Sequence, residues 1–149
     1  MQKEPIIAEN VYAGKGQTNY PEPYAQLVSG RIKRKLGDYF GLTNFGVNLT
    51  TLEPGSISSL FHHHSSQDEF IYVLKGELVL RLGDRKYSLQ PGDCVGLPAG
   101  TGTPHQLVNR SSEDATYLEI GDRSSGDEVN YPNDPIKVRM DSDGHWVFE

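Results

Sequence analysis

Short apolar runs punctuated by glycine and proline decide what this chain can fold into. It holds 16 glycines and nine prolines in 149 residues, above the combined share of about 12% usual in proteins. No window carries a sustained helical stripe of apolar residues, whereas runs of strand length recur between turn residues. Strands are predicted at Phe45–Leu52, 58–64, Glu69–Lys75, 77–82, Arg85–Leu89, 93–97, 105–109 and 115–120. Turns fall at Glu53-Pro54-Gly55, Lys75-Gly76, Gly83-Asp84, Gln90-Pro91-Gly92 and Pro98-Ala99-Gly100. Gly83-Asp84 suits a two-residue hairpin. Closely spaced strands without crossover helices imply an all-β antiparallel sandwich or barrel. A single domain is expected from the length. Residues 1–40 read as an extended N-terminal arm with one short strand around 6–8, and residues 26–36 fit either a strand or a short helix. Residues 41–122 form the barrel, and 123–149 a C-terminal extension with a hairpin around Asp141-Ser142-Asp143-Gly144.

Charge narrows the partners. Fourteen Lys+Arg stand against 20 Asp+Glu, a net charge of −6, which disfavours nucleic acid or an anionic membrane as the principal partner. The basic run Arg31-Ile32-Lys33-Arg34-Lys35 is the local exception, and its ordinary reading is a solvated strand or loop. The single cysteine, Cys94, forms no internal disulfide and reads as a small buried residue rather than a catalytic thiolate. No apolar run approaches the length of a membrane span, and no signal-peptide pattern opens the sequence. A cytoplasmic location is expected.

The histidines carry the chemistry. His62, His63 and His64 are consecutive at the end of a predicted strand. Alternation sends His62 and His64 to one face and His63 to the other. Two residues along a strand span about 6.6 Å, so two imidazoles leaning together can share one metal ion. Glu69 follows a four-residue connection long enough to reverse the chain, and an antiparallel neighbour would set it beside the two histidines. The Glu69 strand is apolar on both faces beyond the glutamate, so it is expected to be buried on both sides. A buried carboxylate there requires a cation or several donors. His105 opens a later strand, held extended by Pro104. His63 and His145 read as ordinary hydrogen-bonded histidines. No Gly-x-Ser-x-Gly element is present, nor a glycine loop that cradles phosphate ahead of a helix.

Two spaced motifs enclose these residues. The first is Gly55, six residues, His62-His63-His64, four residues, Glu69, six residues, Gly76. The second is Gly92, five residues, Pro98-Ala99-Gly100, four residues, His105, three residues, Asn109. In order and spacing they resemble the two motifs of the cupin superfamily, with the spacer 101–104 longer than the common pattern by two residues. The segment Tyr117-Leu118-Glu119-Ile120-Gly121-Asp122-Arg123, with Gly126-Asp127-Glu128 and Tyr131-Pro132, is similar to small stand-alone bacterial cupins, some of them labelled sugar-phosphate isomerases.

The resemblance implies a jelly-roll barrel with one divalent transition metal inside, Zn, Ni, Fe, Mn or Co. His62, His64, Glu69 and His105 match the family's three-histidine, one-glutamate ligand set. Such a donor set suits those metals, and an open coordination position supports Lewis-acid chemistry. The implied function is a metal-dependent enzyme acting on a small polar molecule, as a sugar-derivative isomerase or a dioxygenase. The alternative is a cupin that binds or senses a small ligand without turnover. A metal-stabilised structural barrel is a third reading. No catalytic residue is assigned; Asn48, Thr50, Arg81 and Tyr117 are candidate bases if they face inward. Phe70, Tyr72 and Leu74 form an outward apolar face that needs cover, by the arm or by a second subunit, and cupin resemblance favours a homodimer.

Overall fold

The computed structural model describes residues 1–149. Thirteen strands follow in chain order: β1 Ala13–Lys15, β2 Arg31–Lys35, β3 Phe45–Leu52, β4 His63–His64, β5 Glu69–Lys75, β6 Leu78–Leu82, β7 Arg85–Leu89, β8 Cys94–Leu97, β9 His105–Val108, β10 Ala115–Asp122, β11 Glu128–Asn130, β12 Lys137–Met140 and β13 Trp146–Phe148. A single turn of α-helix, Leu36–Tyr39, separates β2 from β3. No helix is long and apolar enough to cross a membrane.

The strands form an antiparallel jelly roll of three sheets. A six-stranded sheet runs β1-β2-β3-β10-β5-β8, a three-stranded sheet β7-β6-β9 and a four-stranded sheet β13-β12-β11-β4. At the β6–β7 turn Leu82 pairs with Arg85, and Gly83 takes φ +60°, a conformation that glycine adopts without side-chain clash. Between the six- and three-stranded sheets lies the main core: Leu52, Ile71, Val73, Leu78, Leu80, Leu89, Leu97, Leu107, Ala115 and Tyr117. Alternation puts these residues on inner faces. A second cluster of Leu60, Val129, Tyr131 and Val138 joins the extension to the barrel. The core fills one end of the roll and leaves the other end open for a site.

Several expectations require correction. The short strand around 6–8 is absent; residues Ala8–Asn10 make a 3-10 turn, and β1 begins at Ala13. Within 26–36 a 3-10 turn ending at Val28 gives way to strand β2. Of the predicted strand 58–64 only His63–His64 is regular, although isolated bridges tie Ile57 to Val108 and His62 to His105. β4 pairs with β11 and not with β5, so Glu69 meets the histidines across the barrel and not along a hairpin. β5 is buried on one face only, because Ile71 and Val73 point into the core while Phe70, Tyr72 and Leu74 remain 38–46% exposed. Cys94 is exposed rather than buried, since it lies on that same outer face, opposite Tyr72. The hairpin expected in the extension is present as β12 and β13.

Candidate metal centre

Three strands, β4, β5 and β9, and the residue before β4 bring the predicted ligands together. His62 and His105 face each other directly: the His62 amide donates to the His105 carbonyl at 3.2 Å, and the His105 amide returns the bond at 2.8 Å. Their rings lie 4.5 Å apart between centroids. The long spacer before His105 does not disturb this register, because Thr101, Gly102 and Thr103 loop out into solvent. His64 stands on β4, held by β11. Glu69 opens β5, on the inner face of the six-stranded sheet, with its cross-strand partner Gly121 leaving room beside it.

Three imidazole nitrogens surround one carboxylate oxygen. From Glu69 Oε2, His105 Nε2 lies at 2.8 Å, His64 Nε2 at 3.5 Å and His62 Nε2 at 3.7 Å. None is aligned for a hydrogen bond, so this buried oxygen has no partner of proper geometry. Donor atoms about 2.1 Å from a shared ion lie at such separations from one another. The donor atoms of His62, Glu69 and His105 all fall within 4.8 Å of each other and could hold an ion. His64 stands outside that tight group and approaches it through Glu69.

The far sides of the rings fix their tautomers. His62 Nδ1 sits 2.8 Å from the Leu60 carbonyl, and His64 Nδ1 sits 2.5 Å from Asp127 Oδ2. A carbonyl or carboxylate accepts a hydrogen bond from Nδ1–H, which leaves the Nε2 lone pair toward Glu69. Asp127 is itself fully buried and is held by the Ser66 and Gln67 amides at 2.8 and 3.1 Å. The donor set therefore fits a divalent transition ion: the His62 and His64 imidazoles backed by acceptors, the His105 imidazole beside them, and a carboxylate that no protein donor satisfies.

In the metal-free protein burial opposes the charge on Glu69, yet the neighbouring imidazoles of His105 and His62 outweigh it and hold the carboxyl well below its ordinary range. Burial likewise works against a protonated His64, but the Asp127 hydrogen bond and the Glu69 charge raise it. His105 is lowered, chiefly by burial.

This centre opens on a cavity of about 510 Å³. Tyr131, Trp146 and Phe148 from the extension line one side, Thr18, Asn19 and Tyr20 from the arm another, and Arg31, Lys33, Asn48, Tyr117 and Glu119 the inner sheet face. A smaller pocket of about 190 Å³, which His63 lines, lies behind the centre and shares His64, Glu69 and His105 with the cavity. His62 and His64 line the large cavity while His63 does not, as alternation predicts. Of the candidate bases, Asn48 and Tyr117 face the cavity and Thr50 lies buried beside Tyr117 in the same register row. Arg81 does not: it points out of the barrel, bonded to Gln106 at 2.7 Å and packed over Phe61. His145 is exposed at the tip of the extension, next to Asp141. Sequence reasoning passed over the role of Asp127, because its partner His64 lies 63 residues away with no local pattern joining them. It also read Arg31 and Lys33 as solvated; strand alternation was the available signal.

A jelly roll with histidines and a glutamate gathered on one cavity defines a class of small β-barrel proteins with a site that could hold a metal ion. The chain belongs to the cupin superfamily. The cupin domain family model matches residues 48–121. A sugar phosphate isomerase of the cupin superfamily from Silicibacter pomeroyi is 37% identical and superposes with a TM-score of 0.91, over 98% of this chain and 92% of that one. A protein from Acidithiobacillus ferrooxidans with a provisional sugar phosphate isomerase designation is 34% identical, with a TM-score of 0.74 over 83% of this chain and 79% of that one. Among curated proteins, the sucrose-binding protein of Glycine max is 32% identical over 84 residues, 54% of this chain. The chain spans 15% of that relative's length and 43% of a second, an uncharacterized protein of Methanocaldococcus jannaschii.

Proposed function

We propose that this cupin is a metal-dependent enzyme acting on a small polar molecule, an isomerase of sugar derivatives. The observation that carries the reading is the set of three imidazole Nε2 atoms within 3.7 Å of one unsatisfied carboxylate oxygen, at the head of a cavity. The cavity, about 510 Å³, suits a small ligand. Similarity to sugar phosphate isomerases over nearly the whole chain supports the reaction class.

A divalent ion held by His62, His64, Glu69 and His105 would supply Lewis-acid polarisation of a substrate carbonyl. The remaining work falls to the chain. Asn48 lines the cavity and would bind a substrate hydroxyl. Glu119 lines the cavity, takes part in no ion pair, and is our choice of base. In an aldose–ketose interconversion it takes the proton from C2 and returns it to C1, while the O2 hydroxyl proton ends on O1. Atoms balance without an oxidant. The aromatic wall of Tyr131, Trp146 and Phe148 keeps bulk water from one flank.

The test is metal analysis of natively purified protein, followed by assay of aldose and ketose phosphates with the metal present and removed. Metal-dependent interconversion is expected. Turnover that survives complete metal removal overturns the reading. Similarity to a sucrose-binding protein supports a second reading, ligand binding without chemistry. Metal-dependent melting shifts with a sugar ligand but no turnover would select it.

A further inference from the structure

Strand β2 places three cations on one face of an otherwise acidic protein. Alternation turns Arg31, Lys33 and Lys35 inward, and all three line the large cavity. Ile32 and Arg34 turn outward, where the Arg34 side chain donates to the Glu9 carbonyl at 3.1 Å. None of the ion pairs in the structure includes Arg31, Lys33 or Lys35. Arg31 is only 7% exposed. Its guanidinium donates to two backbone carbonyls, of Ser58 at 2.6 Å and Gln17 at 3.0 Å, and its Nε has no partner. A buried guanidinium whose partners are neutral carbonyls is costly without a paired anion.

A further donor faces the same cavity. In the register of the sheet, Lys33 lies opposite Thr50, and Thr50 opposite Tyr117. Lys33 and Tyr117 both line the cavity, whereas Thr50 is wholly buried between them. Burial lowers Lys33, and the carboxylates of Glu119 and Glu69 act on it from within the cavity. The His/Glu centre and the β2 stripe are thus within electrostatic reach of each other.

We propose that Arg31 and Lys33, with Tyr117 beside them on the cavity wall, form an anion subsite that takes the phosphate end of a phosphorylated substrate whose reactive end lies at the metal centre. This rests on the reading that the cavity holds a small substrate, and adds to it which residues recognise the charged end. A phosphate monoester fits better than a carboxylate. It carries up to two charges against two cations and offers three acceptor oxygens to the unpaired donors. Lys35, at the cavity mouth, steers rather than holds.

The probe is inorganic phosphate, titrated by calorimetry into the metal-loaded full chain, with acetate at equal ionic strength as the carboxylate arm. Saturable phosphate binding and little acetate binding are expected. Lys33→Met should weaken phosphate binding about tenfold or more, while Lys33→Arg retains most of it. Metal content and melting temperature confirm that both variants are folded. If Lys33→Met does not fold, Tyr117→Phe, which removes the hydroxyl on the cavity wall, must weaken phosphate binding. Wild-type phosphate affinity in Lys33→Met, or in Tyr117→Phe where Lys33→Met does not fold, overturns the subsite. Equal binding of acetate overturns its assignment to phosphate. The isomerase reading fails separately: Lys33-dependent phosphate binding without turnover of any sugar phosphate rejects that reading and leaves the subsite in place. Metal-dependent turnover indifferent to Lys33→Met does the reverse.

Discussion

His62, His63 and His64 show how much one residue of offset decides. His62→Ala and His64→Ala should each lose most of the bound metal, whereas His63→Ala, whose ring lies outside the large cavity, should keep it; equal losses in all three, by elemental analysis, would remove the alternation argument. Asp127→Asn tests the support behind His64. It preserves shape but weakens the acceptor that holds Nδ1, and metal affinity should fall about 10–100-fold. The pH dependence follows from the same residues. Glu69 and Asp127 are held below their ordinary values once their neighbours outweigh burial, the imidazoles beside Glu69 and the His64 ring and backbone amides on Asp127, so in the metal-free protein they stabilise the fold above the unfolded carboxylate pKa of about 4, and lose that effect as pH falls through their folded values. His64, raised by Asp127 and Glu69 against burial, stabilises below its unfolded pKa of about 6.5 and loses that effect as pH rises through its folded value. Metal binding has the opposite demand on His64, because a ligand must shed its proton. The melting-temperature gain on adding metal should therefore grow from about pH 5 to pH 8; a flat increment in a thermal-shift series would count against a histidine-rich centre. That His62, Glu69 and His105 meet was legible from spacing and motif order. Asp127 was not, because a carboxylate behind a ligand is chosen by tertiary contact and leaves no local periodicity.

Among the elements, β3, β5, β7 and β10 were legible because alternation and turn residues mark them. β4 was not, since two residues paired to a distant extension strand carry no pattern of their own. The motif glycines look alike in the sequence and differ in the fold. Gly76 takes φ +75°, and a Cβ there would stand 2.6 Å from the Asp114 carbonyl oxygen and 2.8 Å from Ala115 Cα, both backbone atoms. Gly92 takes φ +95° with nothing near its Cβ position. Gly92→Ala therefore carries only the conformational cost of about 1–2 kcal/mol. Gly76→Ala adds displacement of the β10 backbone and should cost distinctly more, about 3 kcal/mol. Chemical denaturation of the two variants checks the order; equal losses would mean that β10 gives way freely at Ala115. Because β10 lies between β3 and β5, that displacement passes into the sheet that carries Glu69.

Across the whole molecule, the arm and extension supply about half of the cavity wall, and they leave one surface uncovered. The arm reaches the outer side of β2, where the Glu9 carbonyl accepts from Arg34, and Leu49 on the neighbouring strand is 5% exposed. It does not reach β5. Phe70 is 38% exposed, Tyr72 39% and Leu74 46%, three large apolar side chains in a row on the outer face. Their alternation with Ile71 and Val73 was readable in the sequence, but what covers them was not, because a surface between chains obeys the same pattern as one within a chain. With the arm committed elsewhere, a second copy meeting this face is the cover we expect, giving a homodimer. Light scattering at micromolar concentration should return twice the mass of 16.6 kDa. Tyr72→Glu places a charge at the centre of the patch, where burial without a partner is costly; it should shift the protein to monomer while metal content stays at the wild-type level, since Tyr72 points away from the centre. A wild-type monomer would reject the dimer and leave the β5 face solvent-exposed. A Tyr72→Glu dimer of unchanged stability would move the interface to another face of the barrel.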